Sequence, residues 1–306
     1  MRILITGSKG QLGTELMRQL NMNKGEKPLE IVTPSKNELN LLDLKNCEEY
    51  VKDLKPELLI NLAAYTAVDK AENDINNART INGLALKSFA NAVKSYGGYI
   101  IQISSDYVFN GEQKFPYQTK DARDPLGIYG KTKAEGEYFL EEILYNTNQF
   151  TIVRTSWLVS PWGNNFVKTI LKKLEENKEN LYVISDQIGC LTTAKNLAFL
   201  LRLLIEKKMN KEILPSHLHW SSDGKTSWYE IALKIKEISS HINLINSKVN
   251  IHPIKTTEYK TSCPRPKFSL LDSSITKEKI GIKSNFWWID LEILLKEIIT
   301  LKKTDE

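Results

Sequence analysis

Short apolar runs alternate with longer amphipathic stretches over the first half of the chain. The apolar runs have the length of buried strands, and the stretches between them repeat their apolar residues at helical intervals. The predicted strands are residues 3–6, 29–33, 58–61, 99–104 and 150–154. The predicted helices are residues 11–20, 45–54, 78–96 and 130–145. Strands separated by helices predict a Rossmann-like, doubly wound α/β fold, in which a parallel sheet is covered on both faces.

The pattern becomes less regular after Arg154. Short strands and helices follow one another there, and all 6 tryptophans of the chain lie beyond this residue. We predict a dinucleotide-binding domain at residues 1–155 and a smaller C-terminal α/β substrate-binding domain at residues 156–306. The apolar helix at residues 194–206 is a candidate to return to the first domain.

Composition excludes several functional classes. Hydrophobic residues make up 41% and charged residues 26% of the 306 positions, as in soluble globular proteins. The net charge of +5 comes from scattered lysines and not from a basic stripe, so we expect no nucleic-acid partner. No apolar run approaches the roughly 20 residues that span a bilayer, and we predict a cytoplasmic protein without a membrane partner. The 3 cysteines lie far apart and the 4 histidines lack metal-ligand spacing, so we predict no metal site.

Three glycines join the first predicted strand to the first predicted helix. Gly7, Gly10 and Gly13 form the pattern G-x-x-G-x-x-G, where a tight turn brings a helix N-terminus towards an anion. Gly7 permits the turn, Gly10 lets the backbone approach a pyrophosphate, and Gly13 allows close packing of the helix on the strand. The alternative is an ordinary strand-to-helix turn. The position of the motif at the start of a Rossmann-like pattern favours a dinucleotide.

The second predicted strand indicates which nicotinamide cofactor is bound. An acidic residue at its end would bind the 2′-hydroxyl of NADH, but residues 33–36 read TPSK. Lys36 is suited to a 2′-phosphate, so we predict NADPH, with NADH as the alternative. Asp43 and Leu44 are placed to flank the adenine, although Asp43 is equally suited to cap a helix.

A serine, a tyrosine and a lysine form the predicted catalytic set. Ser105 follows the fourth strand, whose carboxyl end faces the cofactor crevice. Tyr129 and Lys133 are four residues apart and share one face of a helix. We expect the ammonium group to lower the pKa of the phenol, which gives a proton to a carbonyl oxygen that Ser105 polarises. The sequence YGKTK alone is not specific, and Ser105 alone is equally a strand-end residue that caps a turn.

The order of motifs along the chain resembles the dTDP-4-dehydrorhamnose reductase family, within the extended short-chain dehydrogenases/reductases. The glycine loop and YGKTK match the wider superfamily, and further segments match the narrower family over nearly the whole chain. Those segments are residues 61–72 (NLAAYTAVDKAE), 105–109 (SDYVF), 154–157 (RTSW), 163–166 (GNNF), 185–189 (SDQIG) and 265–266 (RP).

The resemblance implies a reaction and a set of binding residues. The reaction is reduction of the C4 ketone of dTDP-4-dehydro-6-deoxy-L-mannose to dTDP-L-rhamnose by NAD(P)H, the last step of dTDP-L-rhamnose biosynthesis. The implied cofactor-binding residues, besides Tyr129 and Lys133, are Gly10, Gln11 and Leu12 at the pyrophosphate, Asp43 and Leu44 at the adenine, and Ala63, Ala64 and Tyr65 beside the nicotinamide. The implied residues for the dTDP-sugar are Ser105, Asp106, Trp157, Asn165 and Arg265.

Structural roles are open for three of these residues. Trp157 is equally suited to a core position, Arg265 to a solvated turn, and Asn165 to a helix cap. The chain also departs from the family at residues 158–161 (LVSP) and 190–192 (CLT). Some family members are magnesium-bridged dimers. Glu15 matches one acidic ligand there, but Lys195 stands near the place of another, so we predict no metal requirement and a monomer or weak homodimer.

Two other functions remain as alternatives. The first is a nucleotide-sugar epimerase or dehydratase of the same superfamily, which shares the glycine loop and the Tyr/Lys pair but recycles its cofactor. The second is a non-catalytic, cofactor-binding regulatory homologue, against which the intact Ser105, Tyr129 and Lys133 argue. Stoichiometric oxidation of NADPH distinguishes the reductase from both.

Overall fold

The structure is a computed structural model that describes residues 1–22 and 29–304. Its strands are β1 (Arg2–Thr6), β2 (Glu30–Val32), β3 (Leu58–Asn61), β4 (Tyr99–Ser105), β5 (Phe150–Thr155), β6 (Leu158–Val159), β7 (Asn180–Ile184), β8 (Ile188–Gly189), β9 (Thr192–Thr193), β10 (His217–Trp220), β11 (Thr226–Ser227) and β12 (Asn250–Ile254). Its α-helices are α1 (Gln11–Met22), α2 (Leu44–Leu54), α3 (Val68–Ala71), α4 (Ile75–Arg79), α5 (Ala85–Tyr96), α6 (Ile128–Ile143), α7 (Phe166–Glu175), α8 (Ala194–Met209), α9 (Trp228–His241), α10 (Ser274–Ile280) and α11 (Trp287–Thr304).

Six strands of the described residues form one parallel sheet in the order β2-β1-β3-β4-β5-β10. The prediction of a doubly wound parallel sheet is confirmed. After β1 the chain passes outward to β2 and then returns to β3 on the other side of β1. This reversal is the topological switch point, where folds of this type open a crevice beyond the carboxyl ends of the strands.

The two faces of the sheet bury alternate residues of the same strands. Ile3 and Ile5 of β1 pack with α1 and α8, whereas Leu4 between them packs on the opposite face with α2, α5 and α6. Side chains of a strand point alternately to opposite faces, so a strand that is covered on both sides must be apolar throughout. This explains why β1 and β3 read as uninterrupted apolar runs.

A second lobe follows the fifth strand. Its core joins α7, α9 and α11 with the parallel pair β7 and β12. Residues 194–220, however, belong structurally to the six-stranded sheet and its helices, because α8 packs on α1 and β10 pairs with β5. The range 156–306 is therefore not one continuous domain, and the main sheet takes its last strand from within it.

The predicted helix at residues 78–96 is wrong as a single α-helix. The structure has α4, then a π-helical turn at Thr80–Leu84, then α5. A π turn shifts the register of the backbone hydrogen bonds by one residue and is often found at functional sites. Asn82 lies in this turn and points towards the loop after β3.

Within the described residues, no helix combines the length and apolarity needed to cross a membrane.

The packing of α8 on the sheet layer is testable by truncation. Leu201 is fully buried in the cluster shared with α1, so we expect Leu201→Ala to lower the free energy of unfolding by about 2–5 kcal/mol. Urea unfolding followed by circular dichroism measures this change. Leu233→Ala in α9 is the matched control, because Leu233 is a helical leucine that is 40% exposed. Equal losses in the two variants would contradict the packing.

Candidate active site

The glycine loop lies at the switch point and is packed against the loop that follows β3. Gly7 has a φ of +67°, and a Cβ there would lie 2.7 Å from the backbone nitrogen of Ala63. A Cβ on Gly13 would lie 2.3 Å from the carbonyl oxygen of Gly7, so α1 begins directly against the turn. Both positions therefore require glycine. The helix presents its first N–H groups beside the crevice, where an anion is favoured.

A cavity of about 450 Å³ opens beside this loop. It combines predicted cofactor residues with several that sequence reasoning missed. The predicted residues in its lining are Gly7, Gly10, Lys36, Ala63 and Ala64, and the others are Thr6, Ser8, Lys9, Pro34, Ser35, Leu39, Asn40, Leu41 and Ile81. Glycine backbone, a helix N-terminus and two lysines suit a dinucleotide with its phosphates, so the residues present fit the predicted cofactor.

Leu39, Asn40 and Leu41, which precede the predicted adenine-binding residues, line this cavity. Asp43 follows them, and its Oδ1 accepts a hydrogen bond from the Asn46 backbone N–H at 3.0 Å, which caps α2. The helix-cap role that the sequence left open for Asp43 is therefore present, and Leu44 is the first residue of the helix.

Ser105, Tyr129 and Lys133 converge at the carboxyl end of β4. Ser105 is the last residue of β4, and Tyr129 and Lys133 lie on the first two turns of α6. Burial raises the pKa of Tyr129 to about 12, and the nearby Ser105 hydroxyl acts against this rise. The Tyr129 ring stands edge-on to Tyr107, with the ring centroids 5.5 Å apart. The phenol therefore keeps its proton at neutral pH, as a general acid requires.

Lys133 does not lower the pKa of Tyr129 as the sequence led us to expect. Its Nζ donates a hydrogen bond to the carbonyl oxygen of Ile103 at 2.6 Å. Burial lowers the pKa of Lys133 to about 8, and the Glu137 carboxylate opposes that change. Because the two side chains are buried together, desolvation outweighs the attraction that an ammonium exerts on a phenolate in water.

Glu137 anchors the catalytic helix to the sheet. It is fully buried, and its carboxylate receives Arg154 Nε at 3.0 Å and Arg154 Nη2 at 2.7 Å. Arg123 adds a third hydrogen bond at 2.9 Å. Although burial acts to raise it, the two guanidinium groups hold the pKa of Glu137 below its usual value. A charge buried this deeply is stable only while its partners remain.

A buried carboxyl group lies next to the catalytic serine. The Oδ1 atom of Asp106 accepts a hydrogen bond from Ser105 Oγ at 2.9 Å. Burial raises the pKa of Asp106 to about 6, against the effect of hydrogen bonds from Ser269 and Ser105. The structure thus brings Asp106 to the same strand end as Ser105.

Asn82, in the π-helical turn, links the loop after β3 to α6. Its Oδ1 accepts from the Tyr65 backbone N–H at 2.9 Å, and its Nδ2 donates to Tyr65 O and to Thr132 Oγ1, both at 3.1 Å. Thr132 lies on α6 between Tyr129 and Lys133. Sequence reasoning missed Asn82, because nothing in its helical pattern marks the extra residue of a π turn.

The remaining predicted substrate residues lie in the second lobe or at its edge. Trp157 adopts a left-handed φ of +43° and stacks on Trp228, with ring centroids 3.8 Å apart, while it stays partly exposed. Asn165 caps α7, and its amide also donates to Gln11 Oε1 at 2.9 Å. Gln11, the first residue of α1, is thereby connected to the second lobe.

Arg265 is paired with the carboxylate of Asp69, 196 positions earlier in the chain. Its Nη2 donates to Asp69 Oδ2 at 2.5 Å, and its guanidinium lies 5.9 Å from the Tyr107 ring centre. The solvated-turn alternative for Arg265 is therefore wrong, because the side chain is largely buried and ion-paired.

Glu15, the residue that matched a metal ligand, is occupied by protein groups. Its Oε1 accepts from Trp162 Nε1 at 2.5 Å and from Arg18 Nη1 at 2.9 Å. Arg18 also pairs with Glu297. The Lys195 Nζ atom lies 3.9 Å from Oε2 of Glu297. Over residues 1–22 and 29–304, no group of three or more His, Cys, Asp and Glu side chains is placed to hold a metal ion.

Comparison with known proteins assigns the chain to one family. Residues 1–300 match the family described as RmlD substrate binding domain. The spore coat polysaccharide biosynthesis protein SpsK of Bacillus subtilis (strain 168) is 38% identical, and the alignment covers 97% of each chain. The dTDP-4-dehydrorhamnose reductase of Shigella flexneri is 35% identical, over 98% of this chain and 99% of that protein.

A solved structure agrees over the same range. The dTDP-4-dehydrorhamnose reductase of Bacillus anthracis str. Ames, crystallised in complex with NADP, superimposes with a TM-score of 0.84 at 34% identity. The match covers 97% of this chain and 99% of that one.

The burial of Lys133 predicts a pKa below that of an ordinary lysine. In protein labelled with ¹³C-lysine, we expect the Lys133 Cε resonance to titrate near pH 8, well below the roughly 10.4 of an ordinary lysine. The ammonium form is present below this pH and is lost above it, because burial disfavours the charge. The spectrum of Lys133→Arg, which lacks this resonance, assigns it. A midpoint close to 10 would contradict the burial of the ammonium.

Proposed function

This chain belongs to the RmlD substrate binding domain family, and from that premise we propose that it reduces the C4 ketone of dTDP-4-dehydro-6-deoxy-L-mannose to dTDP-L-rhamnose with NADPH. Relatives that carry the name dTDP-4-dehydrorhamnose reductase support the reductase role. The relative named for spore coat polysaccharide biosynthesis is consistent with a product destined for a polysaccharide.

One observation carries the proposal. Asn82 links the loop after β3, whose Ala63 and Ala64 line the cavity, to the helix that bears Tyr129 and Lys133. Ser105 and Tyr129 meet at the strand end beside this link. A ketone held against Ser105 therefore lies within reach of a phenol that is protonated at neutral pH.

The chain's own residues supply binding, orientation and the proton. NADPH, when bound, supplies the hydride. Tyr129 donates its proton to the C4 oxygen, and Ser105 donates a hydrogen bond to the same oxygen. Lys133, whose Nζ donates to Ile103 O, lies on the same face of α6 as Tyr129 and is proposed to bind the cofactor beside it. In the structure the single O–H of Ser105 donates to Asp106 Oδ1, so it must turn from this carboxylate to the C4 oxygen when the substrate binds.

We assign the cofactor to the cavity and the dTDP-sugar to the cleft between the sheet layer and the second lobe. Gly7, Gly10, Gln11, Leu12 and Gly13 are proposed for the pyrophosphate, and Ala63, Ala64 and Tyr65 for the nicotinamide side. Trp157, Asn165 and Arg265 border the cleft from the second lobe. For Arg265 to bind the diphosphate of the substrate, its guanidinium must share or exchange its present partner, Asp69.

The reaction is tested with purified protein, NADPH and the dTDP-4-keto sugar. We expect one NADPH oxidised per sugar converted, with the L-rhamnose configuration at C4 established by NMR. We expect Tyr129→Phe to lower turnover by a factor of about 10² or more and to leave NADPH binding nearly unchanged, because only the general acid is lost. Tyr138→Phe is the matched control, since Tyr138 lies on the same helix and is 50% exposed.

Other outcomes of this assay identify the alternatives. Sugar conversion without net NADPH oxidation would indicate an epimerase or dehydratase. NADPH binding without turnover of the sugar would favour the regulatory homologue. Near-normal turnover by Tyr129→Phe would refute the assignment of the general acid.

Lys36 offers a separate test of cofactor preference. It lines the cavity next to Ser35, where a 2′-phosphate would lie beyond the end of β2. We expect Lys36→Ala to weaken NADPH binding about tenfold and to leave NADH binding unchanged, because one charge-assisted contact is lost. Lys9→Ala, in the glycine loop, is the control and should weaken both cofactors alike. Equal effects of Lys36→Ala on the two cofactors, measured by fluorescence titration, would contradict the role of Lys36.

A further inference from the structure

A carboxylate outside the catalytic set reaches the start of the catalytic helix. Glu72 follows α3, and its Oε1 accepts a hydrogen bond from the Ile128 backbone N–H at 2.8 Å, across 56 positions of sequence. Ile128 is the first residue of α6, and Tyr129 is the second. The contact therefore holds the backbone immediately before the phenol.

The helix has no local acceptor for this N–H group. The first N–H groups of a helix lack partners within it, and a side chain at the preceding position normally accepts from the second or third helical residue and not from the first. In α6 that position is Gly127, which has no side chain. Glu72 supplies the missing acceptor from another part of the chain.

The packing around Gly127 leaves this contact little freedom. A Cβ at residue 127 would lie 2.7 Å from Glu72 Oε1 and 2.2 Å from Cys263 Sγ. A side chain at residue 127 would therefore displace the Glu72 carboxylate or the Cys263 thiol. The close approach also explains why the helix begins with a residue that cannot cap it.

Glu72 belongs to a short acidic segment that also holds the edge of the second lobe. The Asp69 carboxylate, three residues earlier, accepts from the Cys263 backbone N–H at 3.1 Å and from Arg265. Cys263 packs against Glu72 from the same loop. The start of the catalytic helix and the Arg265 loop are therefore fixed by neighbouring carboxylates of one segment.

We propose that Glu72 is a positioning residue, which fixes the first turn of α6 and thereby holds the Tyr129 phenol at Ser105. The proposal rests on the proposed function for its catalytic consequence. Its structural basis, the Glu72–Ile128 hydrogen bond, is independent of the substrate. Because Tyr129 is the second residue of the helix, any loosening of the first turn displaces its ring directly.

Two substitutions separate positioning from simple destabilisation. Glu72→Gln keeps a carbonyl oxygen that accepts from Ile128, whereas Glu72→Ala removes the acceptor. We expect Glu72→Ala to lower kcat about tenfold or more with little change in the KM for NADPH, and Glu72→Gln to retain most activity. Glu142→Ala, at an exposed position on the same helix, is the control and should behave like the unchanged protein.

The double variant tests whether Glu72 acts through Tyr129. In the Tyr129→Phe background, Glu72→Ala should have little further effect on kcat, because the group that it positions is already gone. Full additivity of the two losses would overturn the proposal, since Glu72 would then act by another route. Normal kcat in Glu72→Ala would overturn it as well.

Amide hydrogen exchange gives a readout that needs no turnover. We expect Glu72→Ala, but not Glu72→Gln, to speed exchange at Ile128 about tenfold in the protein alone, as expected for the loss of one hydrogen bond. Unchanged exchange would refute the positioning role whatever the reaction is. Inactivity of the unsubstituted protein on the dTDP-4-keto sugar, with the expected exchange result, would refute the proposed function only.

Discussion

The position of α6 depends on buried charged side chains that bind it to the strands β4 and β5. Glu137 is fully buried and is held by Arg154 from β5 and by Arg123, while Lys133 one turn earlier is tied to Ile103 O of β4. A buried charge that loses its partner is costly, typically by about 3–5 kcal/mol, so the helix has one favourable register against the strands. The geometry of Tyr129 and Ser105 follows from that register. The positions of the proposed catalytic residues thus depend on buried charges elsewhere on α6 and on the neighbouring strands.

A second set of contacts couples the cofactor loop to the lobe after β5. Gln11 begins α1 next to the glycine turn, and its side chain binds both Asn165 and Ser160. On the other side of the cleft, Asp69 holds Arg265. Both contacts are therefore polar bridges between segments far apart in the sequence, and such bridges can be exchanged for ligand groups at small net cost. The arrangement is compatible with the proposed binding of a sugar nucleotide.

Local sequence patterns were sufficient for five of the six sheet strands and for the glycine loop. The strands β1 and β3 are apolar on both faces, and the spacing of Gly7 and Gly13 reflects backbone contacts close in sequence or at the switch point. Tertiary features were not predictable in the same way. The strand β10 adjoins β5 only after the chain has passed through the second lobe, and no local pattern reports that pairing.

In the candidate site, too, contacts between near neighbours were predictable and effects of the whole fold were not. The spacing of Tyr129 and Lys133 was enough to place them on one helix, but the direction of the tyrosine pKa was wrong because it depends on burial by the whole fold. The role of Asn82 could not be predicted from the sequence, because a single π-helical turn leaves no distinct pattern of hydrophobic residues. The capping of α2 by Asp43 was one of the two roles that the sequence left open. It could be foreseen because a helix cap is a contact between near neighbours in sequence.

The late strand β10 has a consequence for synthesis of the protein. Because it pairs with β5 at residues 217–220, the sheet cannot close until the ribosome has made residue 220 of the 306. Until then the backbone groups along the outer side of β5 have no partner, and open strand edges of this kind invite pairing with other chains. The outer side of β5 is therefore unpaired in the nascent polypeptide from the synthesis of Thr155 until that of Trp220, and rapid emergence of β10 shortens this interval.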